Sequence, residues 1–462
     1  MEQQELDIIS SVMALTGYRN TKNLIIIGVE LVGTFHEHAF RSAVRQTSIK
    51  FPTMTSVLRE VRSKWHFFLV REPSPATGVA IFVSDLPNSH RGQSRFDALM
   101  KHLTPRLERQ WQLFREPPVE IHVLRADSNH SSLVFIVHHS VADAARAMTL
   151  ITEVFGQYEN ILTGQQSPWS EMPHVFSTSE KKAAVAEKFG WKDLCSQLRR
   201  NLSYRSDRPA KPVGNGATED LREWHVREVL SAEETEGLLS GLSQHSFHFV
   251  DHLVACTSLA LEEWNRDRNV PSGTISSVVT VNMRQRFGGA DEKNYSSCLF
   301  FRAAPSDRMT YLKLVGFLAQ SRTRQLRRGA DLSLRLSFSL GAKLFSILPL
   351  RLRRRVAYSF MRQQRYSLAV GFLGAVWPQF KNGSKTAHPH FRKIADLDIT
   401  DVYGTGYKVA GNAHVNLYSY LYGGRLHLVL AMSARLLNKN ECRDFLNLVV
   451  QHIGRAGQLL SA

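Results

Sequence analysis

The residues best placed to do chemistry stand together in His138-His139-Ser140-Val141-Ala142-Asp143-Ala144, directly after the apolar run 132–137. An imidazole with a reference pKa of about 6.5 can accept a proton near neutral pH. Successive residues of a strand point to opposite faces, so only one histidine of the pair can face a given cavity. Asp143 falls where a helix would begin, and a carboxylate there complements the helix dipole. A switch from strand to helix places such a base where lobes meet and pockets form. A histidine pair at a strand end is also a common polar edge with purely structural contacts. Spacing alone therefore leaves both readings open.

Other constellations carry less. No Gx4GK[ST] phosphate loop and no GxSxG elbow occurs. His248 and His252 stand four apart with Asp251 between them, which puts both imidazoles on one helix face. The pattern matches no known zinc-helix order, and Asp251 reads better as a polar residue at a helix start. His388-Pro389-His390 is weaker still. The four cysteines, Cys195, Cys256, Cys298 and Cys442, form no CxxC pair, so neither a disulfide scaffold nor a zinc ribbon is supported.

Strands are predicted over 22–35, 78–86, 119–126, 132–137, 273–283, 366–376, 414–422 and 425–433. Helices are predicted over 40–51, 96–113, 142–163, 231–244, 249–264 and 438–453. The mixture reads as α/β with two lobes of similar make-up. The stretch 205–220 has prolines, glycines and no apolar period, and is expected to be a surface crossover linker. It divides the chain into an N-terminal lobe, 1–204, carrying the histidine motif, and a C-terminal lobe, 221–462.

With 462 residues and 43% hydrophobic residues the chain can bury a large core. The formal charge is +17, concentrated between Arg322 and Arg365. There twelve basic residues, among them Arg335, Lys343, Arg351, Arg353, Arg354 and Arg355, face Asp331 alone. Such a field favours an acidic partner: nucleic acid, an anionic membrane surface or an acidic carrier protein. Nucleic acid is not expected, because no recognition motif accompanies the charge. The apolar residues of 332–352 have an amphipathic pattern that suits a lipid interface or a protein groove, and equally an ordinary core-facing helix. The acidic amino terminus does not read as a signal peptide, and no apolar run is long enough to span a bilayer. A cytoplasmic protein is expected, with peripheral membrane contact as the alternative, and no metal or bound cofactor.

The motif resembles the HHxxxDG signature of the chloramphenicol acetyltransferase superfamily. That superfamily includes nonribosomal peptide synthetase condensation domains, plant BAHD acyltransferases, polyketide-associated acyltransferases and wax ester synthases. The sequence is most similar to stand-alone condensation domains, with wax ester synthases second and a non-catalytic binding protein that retains the fold as the remaining alternative. The segment 276–287, with its Asn282-Met283-Arg284 element, resembles the strand ending in Asn-x-Arg, and 416–437 resembles the closing hairpin. The resemblance implies two lobes with a tunnel between them. It implies a CoA or phosphopantetheinyl carrier thioester as co-substrate donor and an amine or alcohol acceptor. His139 would take the acceptor's proton, with His138 in support and no acyl-enzyme. Asp143 would pair with Arg284 of the second lobe and fix the loop. Ala144, Phe372 and Gly374 would line the tunnel, and Arg351, Arg353, Arg354 and Arg355 would dock a carrier or membrane. Departures are Ala144 for the motif glycine and Phe372 where relatives carry a polar residue. Asp401 to Gly406 match the BAHD signature DFGWG only loosely, which argues against a plant-type enzyme.

Overall fold

The computed structural model describes residues 4–17, 21–62, 67–73, 78–86, 94–171, 195, 208–284, 294–332, 337–338, 347–363, 365–377, 392–409 and 413–461. Arg335, Lys343, His388 and His390 lie outside the described residues, as do 205–207 of the linker.

Two six-stranded mixed sheets organise the chain. Runs rich in Ile, Val and Leu form the centre of the first, where Leu24–Val32 pairs antiparallel with His130–His138. That pair is flanked by Val119–Arg125 and Ala80–Asp85 on one side, and by Leu397–Tyr407 and Lys393–Ile394 on the other. The second sheet runs Ser296–Ala303, Ile275–Asn282, Tyr366–Ala375, Ala413–Tyr422, Arg425–Ser433 and Glu223–Val229. Each sheet packs its own hydrophobic core. The architecture is the expected two-lobed α/β fold, and each predicted strand overlaps an observed one.

The two lobes are not consecutive halves of the chain. Leu397–Tyr407 comes from the C-terminal half yet pairs with Leu24–Val32 along nearly its whole length. Its Tyr403 lies opposite Gly28, where an added Cβ would fall inside the phenol ring. Glycine is therefore required there by close approach rather than by backbone angle. The partition at 205–220 thus remains a proposal about chain order, with a strand exchanged across it. Residues 208–217 of the linker run along the second lobe. Val213 accepts from Trp264 Nε1 (2.9 Å), Ala217 N–H donates to Ala434 (2.9 Å), and Gly214 and Gly216 leave no room for a Cβ.

The helix Ala144–Thr163 follows the motif. Asp143 caps it by accepting the Arg146 N–H at 2.9 Å, and Gly164 ends it in the left-handed region at φ 69°. It is buried on most of its circumference, so its start is a rigid point of the first lobe. Replacing Gly28 by Ala is expected to overpack the seam against Tyr403. A loss of about 1–3 kcal/mol in urea unfolding is predicted, and an unchanged midpoint would contradict the close approach.

Candidate active site

The strand His130–His138 ends in the motif, and the two histidines face opposite ways. His138 is buried. Its Nδ1 accepts the Ser140 N–H at 3.1 Å and lies 2.9 Å from Ser140 Oγ, so the proton sits on Nε2. Its ring meets Trp111 edge-on, and Gly17 lies close against Nε2. Burial first, then His139, pushes its pKa down to about 3. This imidazole is neutral and enclosed.

His139 lies beyond the last paired residue and is only partly buried. Its backbone is gripped from two sides. Its N–H donates to the Asn23 carbonyl at 2.7 Å, and its carbonyl accepts from Asn294 Nδ2 at 3.2 Å. Ring Nδ1 has no hydrogen-bond partner among the described residues. Burial lowers its pKa, while the Asp143 charge and the carbonyls of His139 and Ala142 act the other way. The net direction is down, so the ring is neutral at pH 7 and can accept a proton.

Asp143 is a saturated carboxylate. Oδ1 accepts from Arg146 N (2.9 Å) and Arg284 Nη2 (2.7 Å). Oδ2 accepts from Arg284 Nη1 (2.9 Å) and Tyr295 N (3.1 Å). Two oxygens have about four acceptor positions, and these four donors occupy them. Burial alone would raise this pKa, but Arg284 and the Arg146 N–H hold it below the usual carboxylate range. Arg284 itself is 1% exposed, and Asn282 Oδ1 accepts its backbone N–H at 3.0 Å. Asp143 therefore has no lone pair left for His139, and its contacts hold the loop to the second lobe.

The structure thus brings His138, His139, Asp143 and Arg284 into one constellation. Ala144, the first residue of the following helix, is partly exposed beside it. Phe372 and Gly374 belong to the strand Tyr366–Ala375 of the second sheet. Phe372 packs on Phe249 with ring centroids 4.6 Å apart. Gly374 has φ 87° within an irregularity of that strand, which explains glycine there without any substrate. His252 is sealed in the second lobe with Nδ1 2.8 Å from Tyr311 Oη, and no group of metal-ligating residues occurs among the described residues.

The four docking arginines separate. Arg351 and Arg355 are exposed on the helix Leu350–Gln363. Arg353 turns inward, 7% exposed, and forms an ion pair with Glu60. Arg354 lies over the Phe114 ring at 4.9 Å. Of the four arginines expected to dock a partner, Arg353 and Arg354 thus hold this helix to the first lobe and Arg351 and Arg355 remain exposed. Asn23, Asn294 and Tyr295 were missed from sequence. They act through backbone groups or a single amide, which leave no residue-type signal.

The fold and the motif define the two-lobed chloramphenicol acetyltransferase-like class. The family model described as "Condensation domain" matches residues 24–279, more than half of the chain. The chain belongs to the condensation-domain family. Among solved structures it resembles the starter condensation domain of rhizomide synthetase, in a variant bound to C8-CoA and Leu-SNAC. The TM-score is 0.65 at 12% identity, covering 99% of this chain and 94% of that one. It also resembles trichothecene 15-O-acetyltransferase from Fusarium sporotrichioides, with a TM-score of 0.68 at 12% identity over 98% and 95% of the two chains. A third similar structure is the epimerization domain from tyrocidine synthetase B, with a TM-score of 0.64 at 13% identity over 100% and 98%. At such identities the likeness is one of fold, and the third shows that this fold is not confined to acyl transfer. No curated protein matches the sequence significantly.

Two outcomes are expected. Asp143→Ala should destabilise by about 3–5 kcal/mol, since it strands a buried guanidinium; chemical denaturation measures this. His138 and His252, each held at about 3, stay neutral in the folded protein while their unfolded counterparts protonate below about 6.5. The unfolded state then binds more protons, so stability should fall as pH drops from about 6.5 toward 3. The Asp143 pKa is also lowered on folding and acts in the same sense. Its contribution is present above about 3.8 and lost as pH falls through its lower folded value. A flat stability profile between pH 7 and 4 would contradict the neutral buried imidazoles.

Proposed function

We propose that this protein transfers an acyl group from a CoA or carrier-protein thioester to an amine or alcohol. The observation that supports it most is His139, a partly exposed neutral imidazole on a loop that both lobes grip. The acceptor's nitrogen or oxygen forms the new bond to the acyl carbon as His139 takes its proton. The C–S bond breaks, and the proton passes to the departing thiolate. General-base assistance of this kind contributes about 100- to 10,000-fold. Alignment of the two substrates between the lobes supplies the remainder. Asp143 and Arg284 hold the loop and transfer no proton. Ala144 and Phe372 border the path of the substrates and narrow it relative to glycine and a small polar residue. In this reading the exposed Arg351 and Arg355 meet an acidic carrier.

A second reading is a membrane-associated O-acyltransferase of the wax ester synthase kind. It is favoured by the exposed apolar residues Ile347 (78%) and Leu352 (43%) beside Arg351 and Arg355. No helix among the described residues is long and apolar enough to cross a membrane, so contact would be peripheral. Flotation with anionic vesicles separates the two readings.

The central test is mass spectrometry of mixtures of the protein with acyl-CoA or acylated carriers and pooled amines and alcohols. His139→Ala should keep the fold by circular dichroism and lose turnover by about 100-fold or more; full activity would sink the assignment. Because burial lowers the His139 pKa, kcat/KM should hold as pH falls to about 6.5 and decline only below it. Reversing Arg351 and Arg355 to Glu should raise KM for a carrier-bound donor at low salt without changing thermal stability. An unchanged KM would remove the docking role.

A further inference from the structure

The helix Tyr311–Arg327 has a buried face, Leu314, Val315, Leu318 and Gln325, against the second lobe. Its other face carries Gln320, Thr323, Arg324 and Arg327, with Arg328 at its end, and forms one wall of an open cleft. Ser246 and His248, just before the helix Phe249–Arg266, form the facing wall. The cleft has a volume of about 650 Å³, within the ~300–1,000 Å³ typical of small-ligand sites.

Its charge is one-sided. Arg322, Arg324, Arg327 and Arg328 all line it. The carboxylate of Asp251 meets Arg322 Nε at 2.9 Å and is engaged there. Among the described residues Arg324, Arg327 and Arg328 form no ion pair and are exposed. The helix itself contains no Asp or Glu. Arg324 stands three and four residues from Arg327 and Arg328, so the three guanidinium groups share one end of the helix and repel one another. The helix C-terminus offsets part of that cost, roughly 0.3–1 kcal/mol per cation. It gives no reason for a concave surface opposite a serine and a histidine. A bound polyanion would relieve the repulsion and use the planar, forked donors of arginine, which suit phosphate oxygens.

We propose that this cleft binds a nucleotide-sized ligand carrying two or more phosphates. The volume of the cleft suits a small molecule, and binding to an anionic membrane face is an outcome of the test. The site lies wholly within the second lobe, shares no residue with the His139 constellation, and does not depend on the acyl-transfer reading.

The test is isothermal titration of the full chain with adenosine 3′,5′-bisphosphate at low and high salt. Wild type should bind saturably, with affinity falling as salt rises. Arg324→Glu combined with Arg327→Glu and Arg328→Glu should weaken binding roughly tenfold or more while leaving thermal unfolding unchanged. Arg351→Glu with Arg355→Glu should leave it as in wild type. Absence of saturable binding, or an unaffected triple variant, would overturn the proposal. So would binding to anionic phospholipid vesicles without binding to the soluble bisphosphate. Because the readout is binding, it stands or falls apart from any turnover at His139.

Discussion

The bidentate pair between Asp143 and Arg284 is the joint on which the site depends. Both groups are buried, the carboxylate at 5% and the guanidinium at 1% exposure. Taking two ions out of water is costly, and the cost is offset only when geometry and hydrogen bonding are complete. Here four donors saturate the carboxylate, and they come from both lobes. The same few residues set the attitude of the loop. Asn294, next to Tyr295, also holds the carbonyl of His139. The partly buried imidazole is therefore placed by one backbone contact from each lobe, to Asn23 and from Asn294. Asp143 reaches the His139 ring through its charge and by no hydrogen bond among the described residues, which separates the structural role from the chemical one.

A second set of contacts keeps the lobes in register. The strand Leu397–Tyr407 lies in the first sheet, and side chains of the second sheet reach its carbonyls. Tyr420 Oη donates to Val402 at 2.8 Å and Tyr422 Oη to Ile399 at 3.1 Å. Arg227 binds Asp401 through two hydrogen bonds of 2.6 and 2.7 Å and donates to His427 Nδ1 at 2.7 Å. Burial and Arg227 keep that imidazole down at about 4, so it stays neutral and can accept. These cross-sheet hydrogen bonds penalise sliding or opening of the seam more than apolar contact alone would. Substrates meeting between the lobes would meet a preset geometry.

The basic segment shows how one run of charge divides into separate physical roles. Arg322 and Arg353 are tied to Asp251 and Glu60, and Arg354 covers an aromatic ring. These anchor helices to their surroundings. Arg324, Arg327 and Arg328 line the outer cleft, while Arg351 and Arg355 face solvent on another helix. Among the described residues the stretch presents two exposed groups of arginines separated by structural contacts.

Much of this was legible in the residues because its causes are local. Alternating and continuous apolar runs marked most strands, and Asp143 at a strand-to-helix boundary marked a cap. The family resemblance added the Arg284 partner, which no spacing within the chain could have indicated. The crossover strand was not legible: Leu397–Tyr407 is interrupted by Asp401, Gly404 and Gly406, and its partner Leu24–Val32 lies some 370 residues earlier. Nor was the inward turn of Arg353, since a guanidinium carries the same charge whether it meets water or Glu60. Residue order alone settles periodicity, caps and the identity of reactive groups, because these follow from neighbours a few positions apart. Which imidazole is enclosed, which arginine is spent and which strand changes lobes are decided by contacts between distant segments, whose energies exist only after the chain has folded.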